Sequence, residues 1–201
     1  MSHTFGRGGG GEEAREEPSG RAGREPARQV NLLGALSLAV NGRLESAVEP
    51  AAGHGGAAPA ALVALAGFLS GASIDTLRRP LGLSHSAAVR LVDRLAEAEL
   101  VKREPARDGR SVSVRLTPAG ESVAERVRRE RAAALEAVLE PLSAAERAEL
   151  ATLHEKLLAG LTGGRADAGR TCRLCDADAC GHYEGRCPVT LAADLAERSA
   201  A

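Results

Sequence analysis

Residues 73–116 read SIDTLRRPLGLSHSAAVRLVDRLAEAELVKREPARDGRSVSVRL, a run in which helix signals, turn signals and alternation follow one another. Ser73 is placed to cap a short helix that turns Ile74 and Leu77 inward, and Pro80 with Gly82 is expected to break that helix into a tight turn. Ser84 caps a second helix running to about Ala98, in which Ala88, Leu91, Val92 and Leu95 recur at helical spacing as one buried stripe. His85, Ser86, Arg90, Asp93 and Arg94 are left on or near its solvent side. Leu100 to Arg103 and Ser111 to Leu116 follow, the latter alternating as a half-buried strand does. Asp108-Gly109 lies between them, a turn dipeptide suited to closing two strands into a hairpin. The predicted order is helix, turn, helix, hairpin.

The flanks are helical. Upstream, Leu33, Leu36, Leu38, Val40, Leu44 and Val48 predict a helix over 30–48, a break at 52–56, and a second helix over 59–69 ended by Gly71. Downstream, Thr117 and Pro118 open a long helix to about Glu140. Pro141 stops it, and Ser143 with Glu146 forms a capping box for a last helix bearing Leu150, Leu153, Leu157, Leu158 and Leu161. Residues 1–28 hold a run of four glycines and five Arg against five Glu, with too little apolar surface to offset the entropy of ordering. They are expected to be a disordered tail. Residues 29–164 then form the main domain and 165–201 a C-terminal extension.

The totals agree with a mainly α fold. Phe5, Phe68 and Tyr183 are the only aromatic residues, so the core must be built from Leu, Val and Ala. Basic side chains are nearly all Arg, Lys102 and Lys156 excepted, which fits codon bias and carries no functional weight. The net charge is −1, but it is uneven: residues 74–116 carry nine Lys/Arg against six Asp/Glu, and residues 117–201 carry eleven against fourteen. A mildly basic middle is compatible with a DNA-facing module. No apolar run approaches a membrane span and no secretory signal is present, so a cytoplasmic location is expected.

The run Leu81-Gly82-Leu83-Ser84, then Val89 to Leu95, Leu100-Val101, Asp108-Gly109-Arg110 and Leu116-Thr117-Pro118-Ala119-Gly120 resembles the MarR family of bacterial regulators. Arg78 departs from the small residue usual in the first helix of the motif, and Pro80 is unusual near its end. The resemblance implies a winged helix-turn-helix dimerising through its N- and C-terminal helices, here residues 30–48 and 143–161. It implies a regulator of transcription, by habit a repressor, bound to operator DNA as a homodimer with no membrane partner. Many members also bind a small effector, and no ligand is named for this chain. A reading helix in the major groove assigns Ser84, His85, Ser86, Arg90 and Arg94 to the DNA face, Arg fitting a guanine edge bidentately. The alternative for Arg90 and Arg94 is a solvated face paired with Asp93, Glu97 or Asp75. The resemblance puts wing Arg107 and Arg110 at the minor groove, with Asp108 steadying the hairpin.

All four cysteines, Cys172, Cys175, Cys180 and Cys187, fall within sixteen residues, and Pro188 follows. Four thiols opening with C-x2-C can converge on one tetrahedral metal centre, and in a reducing compartment they are not disulfides. Zinc is one candidate; an iron–sulfur cluster is the other, since the Cys-Pro ending is similar to that of bacterial ferredoxins. His182 lies inside the loop as a bystander or substitute ligand. The tail is not part of the usual family pattern. It is expected to act as a metal or redox sensor that shifts the dimerising helices, or else as a structural staple.

No Gly-rich phosphate loop, nucleophile elbow or paired catalytic carboxylates appear, so an enzyme is not expected. A small iron–sulfur redox protein, or an interaction adaptor built on a winged helix, are the competing readings.

Overall fold

The computed structural model describes residues 24–105 and 112–200. Residues 1–23, which make up most of the expected tail, residues 106–111 with Arg107, Asp108 and Arg110, and Ala201 lie outside the described residues. The chain divides into two units, Met1–Ala39 and Val40–Ala201. Of the first, the described part is the beginning of helix α1, Arg24–Ala52. The helix starts six residues before Val30 and runs past Val48 through Pro50, longer at both ends than its apolar period predicts.

In the second unit, α2 (Ala58–Ala66) is buried from Ala58 to Leu65. It ends at Gly67, earlier than the expected Leu69, and Pro at its first turn costs no hydrogen bond there. Helix α3 is Ile74–Leu81 and α4 is His85–Glu97; strands β1 (Val101–Pro105) and β2 (Val112–Leu116) pair antiparallel, Val101 facing Leu116 and Arg103 facing Val114. Helices α5 (Pro118–Leu139) and α6 (Ala144–Gly160) follow, then α7 (Arg165–Cys172) and α8 (Pro188–Ala200). The architecture is therefore mainly helical with a two-stranded wing, as expected. Among the described residues no helix is long and apolar enough to cross a membrane.

The core forms where the stripe of α4 meets α2, α3 and the strands. Leu91, Val92 and Leu95 are buried beside Leu62, Leu65, Leu77, Val101, Val114 and Val127. Each such side chain contributes about 1.5–3 kcal/mol through removal from water.

Two local expectations are corrected. Pro80 does not break α3: the helix continues to Leu81 with Pro80 inside it and buried. The stop is made by Gly82, in the left-handed region at φ 67°. Its N–H donates to the Arg79 carbonyl at 3.2 Å, and that of Leu83 donates to Arg78 at 3.1 Å, the paired closure of a Schellman cap. Strand β2 does not alternate cleanly either, because Ser113 is buried next to Val114. A bridge from Ser73 to Ser113, with the Val114 N–H donating to the Ala72 carbonyl at 2.9 Å, covers the edge that alternation leaves to solvent.

Candidate DNA-binding surface and cysteine cavity

Helix α4 owes its placement to the cap at its start. The Ser84 hydroxyl accepts from the Ala87 N–H at 3.3 Å and lies 3.3 Å from the Ser86 hydroxyl, so Ser84 acts first as a cap. His85, Ser86, Arg90 and Arg94 are exposed along the same helix. The acidic partners considered for the two arginines are mostly engaged elsewhere. Asp93 accepts from Arg103 of β1 at 2.6 Å, and Asp75 accepts from Arg78 at 2.7 Å and Arg79 at 3.0 Å. Among the described residues neither Arg90 nor Arg94 forms an ion pair. Both instead border a shallow cavity with the 55–57 loop and Leu83.

The Arg78 hydrogen bond, then that of Arg79, holds the Asp75 carboxyl below its ordinary value. Glu104 of β1 is lowered likewise, first by Lys102 and then by Arg115 on the facing strand. These ion pairs leave a net positive charge at the hairpin base, two cations facing the single Glu104, while α4 keeps its two arginines out of ion pairs. The wing residues Arg107, Asp108 and Arg110 cannot be placed on this surface, since they lie outside the described residues.

The four cysteines all border one cavity of about 230 Å³, together with Phe68, Gly169, His182 and Thr190. All four are free thiols. Cys172 lies near Cys175 and Cys180 near Cys187, and the Cys180 thiol donates to the Ala177 carbonyl at 3.4 Å. As they stand, no three His, Cys, Asp or Glu side chains among the described residues converge closely enough to hold a metal ion. The donor set nevertheless fits a soft cation: four sulfurs border one cavity, with no competing carboxylate on its wall.

Backbone geometry explains how the thiols reach the cavity. Cys172 closes α7, and the Cys175 N–H donates to its carbonyl at 2.9 Å, a tight turn that aims both thiols the same way. Cys187 immediately precedes α8 and accepts from the Thr190 hydroxyl and from the Thr190 and Val189 N–H groups. Burial raises the Cys187 thiol, but these donors outweigh it and hold it below its ordinary value. Cys175 is brought down to about 6, chiefly by its hydrogen bond with Cys172, whose own thiol is pushed up by the same contact. Burial, aided by Cys187, pushes Cys180 up to about 11. Each pair thus has one member inclined to ionise.

Sequence reasoning missed Thr190 and Phe68. Thr190 also lies 2.9 Å from His182 Nδ1, which links the histidine to the Cys187 thiol through one hydroxyl. Its signal was present: Cys-Pro-x-Thr reads as a helix start, with cysteine in the capping place. Phe68 carries no local signal.

A family model described as "MarR family" matches residues 55–111. No curated protein matches the chain by sequence. Among solved structures, apo MarR from E. coli is 25% identical over 63% of this chain and 96% of its own, with a TM-score of 0.52. RV1404 from Mycobacterium tuberculosis is 27% identical over 61% of this chain and 85% of its own, at 0.53. YusO from Bacillus subtilis shares the fold at 24% identity, over 68% of this chain and 96% of its own, at 0.56. The chain therefore has the winged helix-turn-helix fold of the MarR structures, and its residues 55–111 match the family model.

Proposed function

We propose that this protein is a homodimeric, sequence-specific DNA-binding regulator of transcription, acting as a repressor in the cytoplasm. The observation that carries the reading is α4: a capped helix with a buried stripe and an outward face where Arg90 and Arg94 stand without ion pairs beside exposed His85 and Ser86. Such a helix fits the major groove, and Arg is the side chain best suited to two acceptors on a guanine edge. In this reading Arg107 and Arg110 at the wing contact the minor groove or backbone, with Asp108 holding the turn. The exposed leucines of α6 supply a dimer face, those of α1 offer a further apolar row, and a cavity of about 390 Å³ bordered by Glu45, Glu49, Arg131 and Arg173 is available to a small effector.

The tail is the sensory or stabilising element, its four thiols binding zinc or an iron–sulfur cluster. When bound, such a centre supplies charge neutralisation and a fixed geometry for four chain positions.

The test is fluorescence anisotropy with duplex DNA from upstream of the protein's own gene. Nanomolar binding is expected, with Arg90→Ala weakening it by about 1–3 kcal/mol and Arg110→Ala lowering the salt slope by about one. Absence of binding to every fragment, with correctly folded protein, would sink the reading.

A further inference from the structure

Pro80 is odd by the standards of a helix end, and its burial has a source outside the helix-turn-helix. The segment packed on it is α7, where Gly169 faces the proline ring so closely that an added Cβ would lie 3.4 Å from Pro80 Cβ. Helices α3 and α7 lie against each other as extensively as α3 and α4 do. The C-terminal extension therefore rests directly on the first helix of the DNA-binding motif, and not only on the helices read as a dimer face.

Both ends of α7 are tied. At its start, Arg165 pairs with Glu197 at 3.1 Å and with Asp194, both on α8. At its end stands Cys172, one helical turn beyond Gly169, facing the cysteine cavity. Leu174, between the first two cysteines, packs on the central hydrophobic core. Phe68, from the loop leading into α3, borders the same cavity as the thiols. The cavity wall thus reaches the DNA-binding motif through Gly169 on Pro80, while Phe68 borders it from the loop before α3 and Leu174 packs on the core nearby.

We propose that Zn²⁺ held by Cys172, Cys175, Cys180 and Cys187 fixes α7 against α3 through the Gly169–Pro80 contact, and that this hold keeps the helix-turn-helix in its DNA-reading arrangement. The proposal rests on the regulator reading above and gives its tail a route of action. Zinc–thiolate bonds of about 2.3 Å set tetrahedral sulfur–sulfur edges near 3.8 Å, comparable with thiols in contact. The four thiols border one cavity and would have to close on one point of it to share that ion. Without the ion no bond joins Cys172 and Cys175 to Cys180 and Cys187, and α7 is held on α3 by packing and by its Arg165 ion pairs alone.

The test uses the full chain under reducing conditions, loaded with zinc or stripped by a chelator. Zinc content, hydrogen exchange of the α3 amides and anisotropy on the upstream duplex are read together. One zinc per chain is expected, with α3 exchange rising and DNA binding weakening about tenfold or more on stripping. Gly169→Leu, which forces α7 off Pro80, is expected to keep its zinc and yet show the stripped protein's α3 exchange and DNA affinity. Gly169→Ala, whose Cβ fits at contact distance, is expected to resemble the wild type. Unchanged α3 exchange between loaded and stripped wild type would overturn the proposal, as would a zinc-loaded Gly169→Leu protein with wild-type exchange and binding. Failure to take up zinc would overturn it as well. Zinc-dependent protection of α3 without binding to any duplex would instead overturn the regulator reading, and the two failures are told apart by the exchange data.

Discussion

Gly120 stands so close to the Leu100 carbonyl that a Cβ placed on it would lie 1.9 Å from that oxygen. Thr117 secures the approach. Its N–H donates to the same carbonyl at 3.1 Å, while its hydroxyl donates to the Glu99 carbonyl at 2.6 Å and accepts from the Gly120 N–H at 3.0 Å. Glu99, at φ 57°, is the one non-glycine among the described residues in the left-handed region. The Leu-Thr-Pro-Ala-Gly run is thus the joint where the base of the wing is bolted to α5. Gly120→Ala is expected to cost about 3 kcal/mol or more, because backbone must move to admit the methyl group. Chemical denaturation measures this, and a cost under about 1 kcal/mol would show that the joint gives way easily.

Acid should weaken the start of α6 in a defined window. The Glu146 carboxylate accepts from the Ser143 hydroxyl at 2.7 Å and the Ser143 N–H at 2.9 Å, which holds it below its ordinary value of 4.5. A carboxyl lowered in the folded state contributes stability above its unfolded value and loses it as pH falls through the folded one. Thermal melts of wild type and Glu146→Ala should therefore differ by a constant gap from neutral pH down to 4.5, narrowing below it. A gap undiminished at pH of about 3 would contradict the carboxylate's role.

The dimer face makes a separate prediction. Leu153 and Leu157 are 53% and 51% exposed on α6, Leu161 just past its end is 74% exposed, and Leu33 and Leu36 are exposed on α1. Apolar rows of this kind call for a covering surface, which the proposed dimer would supply as a second copy. Replacing Leu153 and Leu157 together with Glu should give a monomer by light scattering and abolish tight operator binding, since each half-site then acts alone. A double variant that remains dimeric at micromolar concentration would move the interface elsewhere.

Thr190→Val keeps the side chain's shape and removes the hydroxyl shared by Cys187 and His182. Groups that orient a ligand in this way commonly contribute 10–100-fold to metal affinity, and a loss within about that range is expected in chelator competition. The helical circular dichroism of the zinc-loaded variant should be unchanged. Wild-type affinity would show that the hydroxyl serves α8 alone.

Much of the fold was legible because its determinants are local. Ser73, Ser84, Thr117 and Ser143 all cap the helices they were expected to cap, and Ala88, Leu91, Val92 and Leu95 are all buried. Pro80 misled because a proline in the last turn sacrifices one backbone donor, a loss that Gly82's cap and burial against α7 can offset. Ser113 misled because its cover comes from Ser73, forty residues away. The cysteine spacing announced a cluster, but nothing periodic in residues 165–187 says which surface that cluster rests on. Gly169 reads as a weak helix position until Pro80 is seen beneath it.

Tyr183 is the chain's single tyrosine, there is no tryptophan, and the ring sits edge-on to His182 with centroids 5.0 Å apart. Since His182 borders the cysteine cavity, the protein's near-ultraviolet signal originates almost wholly beside that one site. Metal uptake, thiol oxidation or release of the tail can therefore be followed in the unlabelled protein against a nearly dark background. The scarcity of aromatic residues that denies the fold a bulky core also gives it a single, well-placed optical reporter.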